Sequence, residues 1–448
     1  MPKNKTYYVC DQCGAEHSKW SGKCETCGAW NSLKEFKPAN LKLSGKSFQG
    51  SVLNPDQSDG DSSKTSGFAS GINFLDEVLG GQIVSGSVIL LAGQPGMGKS
   101  TLLTQLIASV SGEEALYVSA EESVNQVSGR IKRLSGKDAK LNLAHSTSAE
   151  DIVATIASAK FKLIIIDSIQ TISNQEASGL PGSVSQITSS TATIVNAAKN
   201  SETAVVLVGH VTKEGNIAGP KLLEHLVDVV LYLDGERTDG FKFLRSVKNR
   251  YGSTNEVAVL EMDDSGLKEV LNPSEALLQE RQASDGSVIF AGIEGNRPIL
   301  IEVQALVHKT NFGYPKRTAS GFDLNRLQLL AAVISRRTKL NLSEYDIYIN
   351  FVGGFKVGET AADLAVAMAI ASAASGRELP DDLVVFGEIG LSGEVRRASA
   401  AEKRVAEAKK MGFKAAVGPA SNASKDVKLK AFIKPVKNIR EAFLQYLE

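Results

Sequence analysis

Residues 93–101 read Gly-Gln-Pro-Gly-Met-Gly-Lys-Ser-Thr. Glycines ahead of a Lys-Ser pair let backbone N–H groups face phosphates. Lys99 would neutralise β- and γ-phosphate oxygens, and Ser100 would hold Mg2+. Gly93, Gln94, Pro95, Gly96, Met97, Gly98 and Thr101 complete the candidate ATP-contacting loop. LIIIDSIQT (163–171) supplies a second element. Asp167 closes an apolar run, so its carboxylate should emerge at the C-terminal edge of a sheet and hold the metal through water. YVSAEES (117–123) ends another such run in two carboxylates, one of which could polarise the attacking water. Successive strand residues face opposite sides, so only one points into the site, and Glu121 is favoured over Glu122. His210 ends AVVLVGH in the same layer. A γ-phosphate sensor and a packing residue are equally good readings of it.

The four cysteines, Cys10, Cys13, Cys24 and Cys27, all lie within the first thirty residues as two CxxC pairs. Two such knuckles can close a tetrahedral thiolate shell around structural Zn2+, with no open position for catalysis. Gly14 and Gly28 follow each pair, where a tight turn needs a permissive backbone. Trp20 and Trp30 flank the second knuckle. The preferred reading is that they cover a very small core, with base stacking or partner contact as alternatives.

These groups need elements to position them. The chain has 448 residues, enough for two or three domains, with 42% hydrophobic and 22% charged residues. Residues 1–33 form the cysteine module, and 34–66 are polar and read as a linker. From 67 to 271, short apolar runs such as SVILLAG, ALYVSA, LIIID and AVVLVGH alternate with longer amphipathic segments. That pattern predicts an α/β domain with a parallel sheet covered on both faces. From 272 to 448 the pattern changes to hairpin-like strands followed by helices, an α+β arrangement. No apolar run is long enough to cross a bilayer, and the first residues lack a signal-peptide core, so a cytoplasmic protein without membrane contact is expected. Fifty basic residues balance fifty acidic ones, so any nucleic-acid site must be a local patch.

The cysteine module, GQPGMGKST, LIIIDSIQT and the later KNRYG (248–252) together resemble the bacterial DNA repair RadA (Sms) family, in the same order along essentially the whole chain. Tyr251 stands where the family's KNRFG signature has Phe. The resemblance implies a RecA-like ATPase core in a homohexameric ring on single-stranded and branched DNA. It also implies a role in homologous recombination beside a RecA-type recombinase, through branch migration. It makes Lys248 and Arg250 candidates for reaching a neighbour's phosphates, where a cation offsets charge on the transferred phosphoryl group. Without the resemblance, KNRYG reads as an ordinary basic loop.

Seven Lys/Arg lie between 309 and 339 against one Asp, interleaved at first with Phe312 and Tyr314. Lys316, Arg317 and Arg326 are candidate phosphate contacts there. Lys213, in the glycine-containing loop 210–221, is a candidate lining a channel. The segment VGETAADLAVAMAIASAASGREL with the later GEIGLSGEVRRASAAEKRVAEA resembles the proteolytic domain of Lon, whose nucleophile is Ser and whose base is Lys. Counting from Gly376 puts Ala361 at the Ser position, and counting from Gly387 puts Arg404 at the Lys position. Alanine has no nucleophile, and arginine stays protonated. Thr360 and Lys403 would substitute only if both anchors slipped by one residue, which would also turn the helix's apolar face. An inactive Lon-like domain that supports the ring is expected.

Overall fold

The computed structural model describes residues 7–10, 16–17, 19–36, 66–110, 114–135, 141–210, 222–235, 240–310, 313–423 and 427–447. The readings of Cys13 and Lys213, most of the linker, and the His210 and Phe312 side chains lie outside what is described. The chain divides into two compact units. The first comprises residues 1–234, 243–254 and 262–268; the second comprises 235–242, 255–261 and 269–448.

In the first unit, the cysteine module is a small antiparallel sheet with Tyr7–Cys10 between Glu16–His17 and Leu33–Phe36. Beyond it, six strands pair in parallel, in the order Asn142–His145, Ala115–Ser119, Leu163–Asp167, Ala204–His210, Val88–Gly93 and Val229–Gly235. Strands Val88–Gly93, Ala115–Ser119 and Leu163–Asp167 are buried at every position, the mark of a sheet covered on both faces. Their β-branched and leucine side chains form the core with helices Ala149–Ala157 and Val184–Ser201. Each fully buried aliphatic contributes about 1.5–3 kcal/mol. Both helices begin on a serine whose hydroxyl accepts a backbone N–H, Ser148 from Asp151 and Ser183 from Gln186. The register sets Ser119 opposite Asp167 and Gly93 opposite both His210 and Leu233. Gly93, where the loop begins, Asp167 and the segment that follows Ser119 therefore emerge together at the C-terminal edge.

In the second unit, a seven-stranded mixed sheet runs Arg317–Ser320, Tyr345–Phe351, Arg297–Lys309, Ser287–Glu294, Leu383–Val385, Ala415–Pro419, Ile433–Val436. The expected hairpin is Ser287–Glu294 against Arg297–Lys309, closed at Gly295-Asn296. Helix Asp363–Ser375 packs on these two strands. Its residues 363–372 are all buried, as a helix apolar on every side must be. Gly376 ends it in the left-handed conformation, φ 63°. Among the described residues, no helix is long and apolar enough to cross a membrane.

Candidate nucleotide site, zinc ribbon and nucleic-acid interface

Gly93 ends its strand against Leu233, whose carbonyl oxygen would lie 2.3 Å from any Cβ there, so only glycine fits. The loop then turns through Gly96 (φ 83°) and Gly98 (φ 101°) into helix Lys99–Ser109. The Met97 side chain is buried, leaving only its backbone to face a phosphate. Lys99 folds over the loop, its ammonium donating to the carbonyls of Gly93 (2.8 Å) and Gln94 (3.0 Å). Burial lowers the Lys99 pKa, and the charges of Asp167 and Glu121 oppose that shift.

Asp167 gathers the other groups. Its Oδ2 accepts from Ser100 Oγ at 3.0 Å and from the Tyr117 hydroxyl at 2.6 Å. Ser100 Oγ and the carboxylate thus converge from two elements, an all-oxygen set that suits Mg2+. Tyr117 is 1% exposed, and burial, with the Asp167 charge second, pushes its hydroxyl far above the ordinary range. It remains a neutral donor. Ser168 donates to the Glu121 carboxylate, while Glu122 turns to an ion pair with Arg130. The two acids follow the strand's end at Ser119 and take different partners, and Glu121 is the one bonded to Ser168, next to Asp167. Neither Tyr117 nor Ser168 was singled out in the sequence. A tyrosine in an apolar strand reads as core, and only the fold brings its hydroxyl to Asp167.

Lys248 and Arg250 lie elsewhere. The Lys248 ammonium donates to the carbonyls of Glu224 (2.6 Å) and Val227 (2.8 Å), at the end of helix Leu222–Leu226. Arg250 pairs at 3.0 Å with Asp228, whose side chain is 2% exposed and also accepts from the Val88 N–H at 3.1 Å. Val88 begins the strand that Gly93 ends. Five steps of about 3.3 Å put Arg250 roughly 17 Å from the chain's own phosphate loop.

The thiol sulfurs of Cys10, Cys24 and Cys27 lie within 4.8 Å of one another, as ligands of one ion must. His17 Nε2 stands 3.4 Å from Cys24 Sγ. Backbone donation, first from Cys27, lowers the Cys24 thiol to about 5, so it is a ready thiolate. Gly28 has φ 74°, the permissive turn its place after Cys27 suggested. Trp20 and Trp30 do not cover the small core. They are 59% and 73% exposed, and the core consists of Cys10, Cys24 and Leu33 with Tyr8 against it.

In the second unit, Lys316 is exposed, with its ammonium 6.0 Å from the ring centre of Tyr348. Arg317 and Arg326 depart from the reading as phosphate contacts. The Arg317 guanidinium caps the carbonyls of Tyr345 and Leu342. Arg326 forms a two-pronged ion pair with the fully buried Asp363 and also donates to the Ile389 carbonyl. Helix 324–337 carries Arg326 on its inward edge, which spacing of basic residues alone does not reveal. A feature missed by that spacing is the open sheet face beside Lys316. Thr318, Tyr348 and Leu306 align across three strands, with Ser320, Asn350 and Gln304 in the next row.

At the Lon-like turn, Ala361 accepts the Gly387 N–H at 2.7 Å. Arg404 is fully buried, ion-paired with Glu359 and stacked near Phe290 and Phe386. Thr360 is engaged by Glu388 (3.0 Å) and Lys403 by Asn296 (3.2 Å).

Family models described as a rubredoxin metal binding domain, an AAA domain and the ChlI subunit of Mg-chelatase match residues 8–35, 55–216 and 326–422. The DNA repair protein RadA of Bacillus subtilis (strain 168) is 45% identical over 453 residues, covering 99% of this chain and 98% of that protein. RadA of Pseudomonas aeruginosa PAO1 is 46% identical, covering 95% of each chain. RadA of Brucella abortus (strain 2308) is 45% identical, covering 94% of this chain and 92% of that one. A solved KaiC-like protein from Pyrococcus horikoshii OT3 aligns at 19% identity with a TM-score of 0.38, over 46% of this chain and 100% of that one, a similarity too low to bear on either fold or function. With its zinc ribbon, RecA-like AAA-type ATPase core and C-terminal ChlI-like, Lon-like domain, the chain belongs to the RadA family of DNA repair proteins.

Proposed function

We propose that the chain is a DNA-dependent ATPase that works as a homohexameric ring on single-stranded and branched DNA. It would act in the cytoplasm, beside a RecA-type recombinase, and move branched joints during homologous recombination. One observation carries the ring. Arg250 and Lys248 are held by partners near the start of strand Val88–Gly93, the end away from the chain's own phosphate loop, which supports a role at a nucleotide held by another copy. In this reading, Lys99 leaves the Gly93 and Gln94 carbonyls for the β/γ-phosphates. Backbone N–H groups of 96–100 cradle the same oxygens. Mg2+ would supply charge neutralisation between Ser100 and Asp167. Glu121, oriented by Ser168, holds the attacking water. Arg250 of a neighbouring copy meets the charge that builds on the transferred group.

Lys316 and the sheet face beside it are the proposed DNA contact of the second unit. An exposed cation above a tyrosine ring suits a phosphate next to a stacked base. Lys213 and the loop that carries it are retained as a channel contact. Four thiolates including Cys13 hold the zinc.

ATP turnover with and without single-stranded DNA, and branch migration of a three-strand joint, test this reading with Lys99→Ala and Arg250→Ala. DNA-stimulated turnover and junction movement, both lost in each variant, are expected. Turnover indifferent to DNA, or a static junction with normal turnover, would refute the motor.

A further inference from the structure

We infer that Tyr117 is a positioning residue for the metal side of the nucleotide site, its hydroxyl fixing the Asp167 carboxylate for a divalent cation. The inference rests on the reading of Asp167 as the metal-side acid.

Tyr117 lies mid-strand in Ala115–Ser119, beside the strand that Asp167 ends, and pairs with Ile165 two residues earlier. Its ring is 1% exposed and spans from the core to the site, where the hydroxyl donates to Asp167 Oδ2 at 2.6 Å. A carboxylate at a strand end has free rotation about two bonds. A ring packed on all sides has none, so a short bond from it selects one carboxylate orientation. The oxygen it grips is the one that faces Ser100 Oγ at 3.0 Å. Tyr117 therefore sets the separation between the two oxygens proposed to flank the cation. A phenylalanine would fill the same core volume without this effect. Among the described residues the hydroxyl makes no other hydrogen bond, and a core strand gains nothing from burying one.

The test is the Mg2+ dependence of binding, with turnover measured separately. A fluorescent non-hydrolysable ATP analogue is titrated into the full-length protein, first in EDTA and then across a range of Mg2+. Wild type, Tyr117→Phe and Asp167→Asn are compared. Tyr117→Phe should raise the half-saturating Mg2+ roughly tenfold, the usual cost of losing an outer-shell partner. Its affinity in EDTA should match wild type, and excess Mg2+ should restore binding. Tyr117→Met, which also lacks the hydroxyl but fills the site differently, should repeat the pattern if the Phe variant folds poorly. Asp167→Asn should abolish the Mg2+ response. If it does so while both Tyr117 variants keep the wild-type Mg2+ dependence, the role of Tyr117 is refuted and Asp167 stands. If Asp167→Asn keeps the response, the reading of the site falls and this inference with it. Equal losses with and without Mg2+ in the Tyr117 variants would make the tyrosine a packing residue and overturn the inference.

Discussion

Replacing Arg250 by alanine separates two jobs that the structure leaves superimposed. Inside the chain, Arg250 compensates Asp228, a carboxylate 2% exposed. Breaking a fully buried pair costs about 3–5 kcal/mol. Here the arginine is 49% exposed, so solvent already screens it. Asp228 also keeps Lys199 at 3.5 Å and the Val88 N–H at 3.1 Å. The structural loss should therefore be nearer ~1–2 kcal/mol. At about 2–4 °C per kcal/mol for a domain of this size, the first unit's melting temperature should fall by roughly 2–8 °C. A cation reaching a neighbour's phosphates would lose far more in rate. Such groups are worth about 10³–10⁵ in turnover, and with Lys248 beside it a fall of roughly 100-fold or more is expected. The control is Asp228→Asn, which removes the same ion pair but keeps the arginine. It should lose comparable stability and retain turnover. The assays are thermal unfolding and steady-state ATP hydrolysis, at a temperature where each variant is folded. If Arg250→Ala loses no more turnover than Asp228→Asn, the arginine is a structural partner and the argument for a shared site fails.

The other predictions concern separate regions. Lys316→Ala should weaken single-stranded DNA binding about equally across sequences and reduce the salt slope by about one charge. Arg326→Ala should instead lower stability, since it strands the buried Asp363, and should leave the salt slope unchanged; the reverse pattern in binding titrations would return Arg326 to the DNA surface. Arg404→Ala removes a fully buried guanidinium from Glu359, Ser399 and Ala291, and urea unfolding should register a loss of about 3 kcal/mol in the second unit. A loss under about 1 kcal/mol would mean that the Lon-like turn does not depend on this ion pair. One zinc per chain should be measurable by metal analysis. Because the Cys24 thiol is lowered to about 5, thiolate predominates above that pH, and zinc should be retained until acidification approaches it. Release already near neutrality would contradict the three-sulfur geometry.

Some features could be read directly because they are local. The phosphate loop is one continuous segment whose glycines and lysine act through backbone shape. The cysteine spacing likewise pointed to one metal site, and the sulfurs of Cys10, Cys24 and Cys27 do converge among the described residues. Asp167 was readable as the end of an apolar run, which the register carries to the C-terminal edge; Glu121 lies past the end of its strand at Ser119, where alternation no longer applies. Other assignments failed where burial decides. Trp20 and Trp30 were expected over a core, but the ribbon is too small to use them. Arg317 and Arg326 read as members of a basic patch because their carbonyl and carboxylate partners lie 25 to 63 residues away in sequence.

The sequence by itself determined the parallel-sheet core, the phosphate loop, the zinc knuckles and the absence of serine and lysine at the Lon-like positions, since each depends on neighbouring residues or fixed spacing. Only the tertiary structure decided which charges face solvent. It also revealed the Tyr117–Asp167 bond and paired Arg250 with Asp228, beside the start of the strand whose far end opens the phosphate loop. Those facts depend on which strand lies beside which, and strand order is set by packing across the whole sheet.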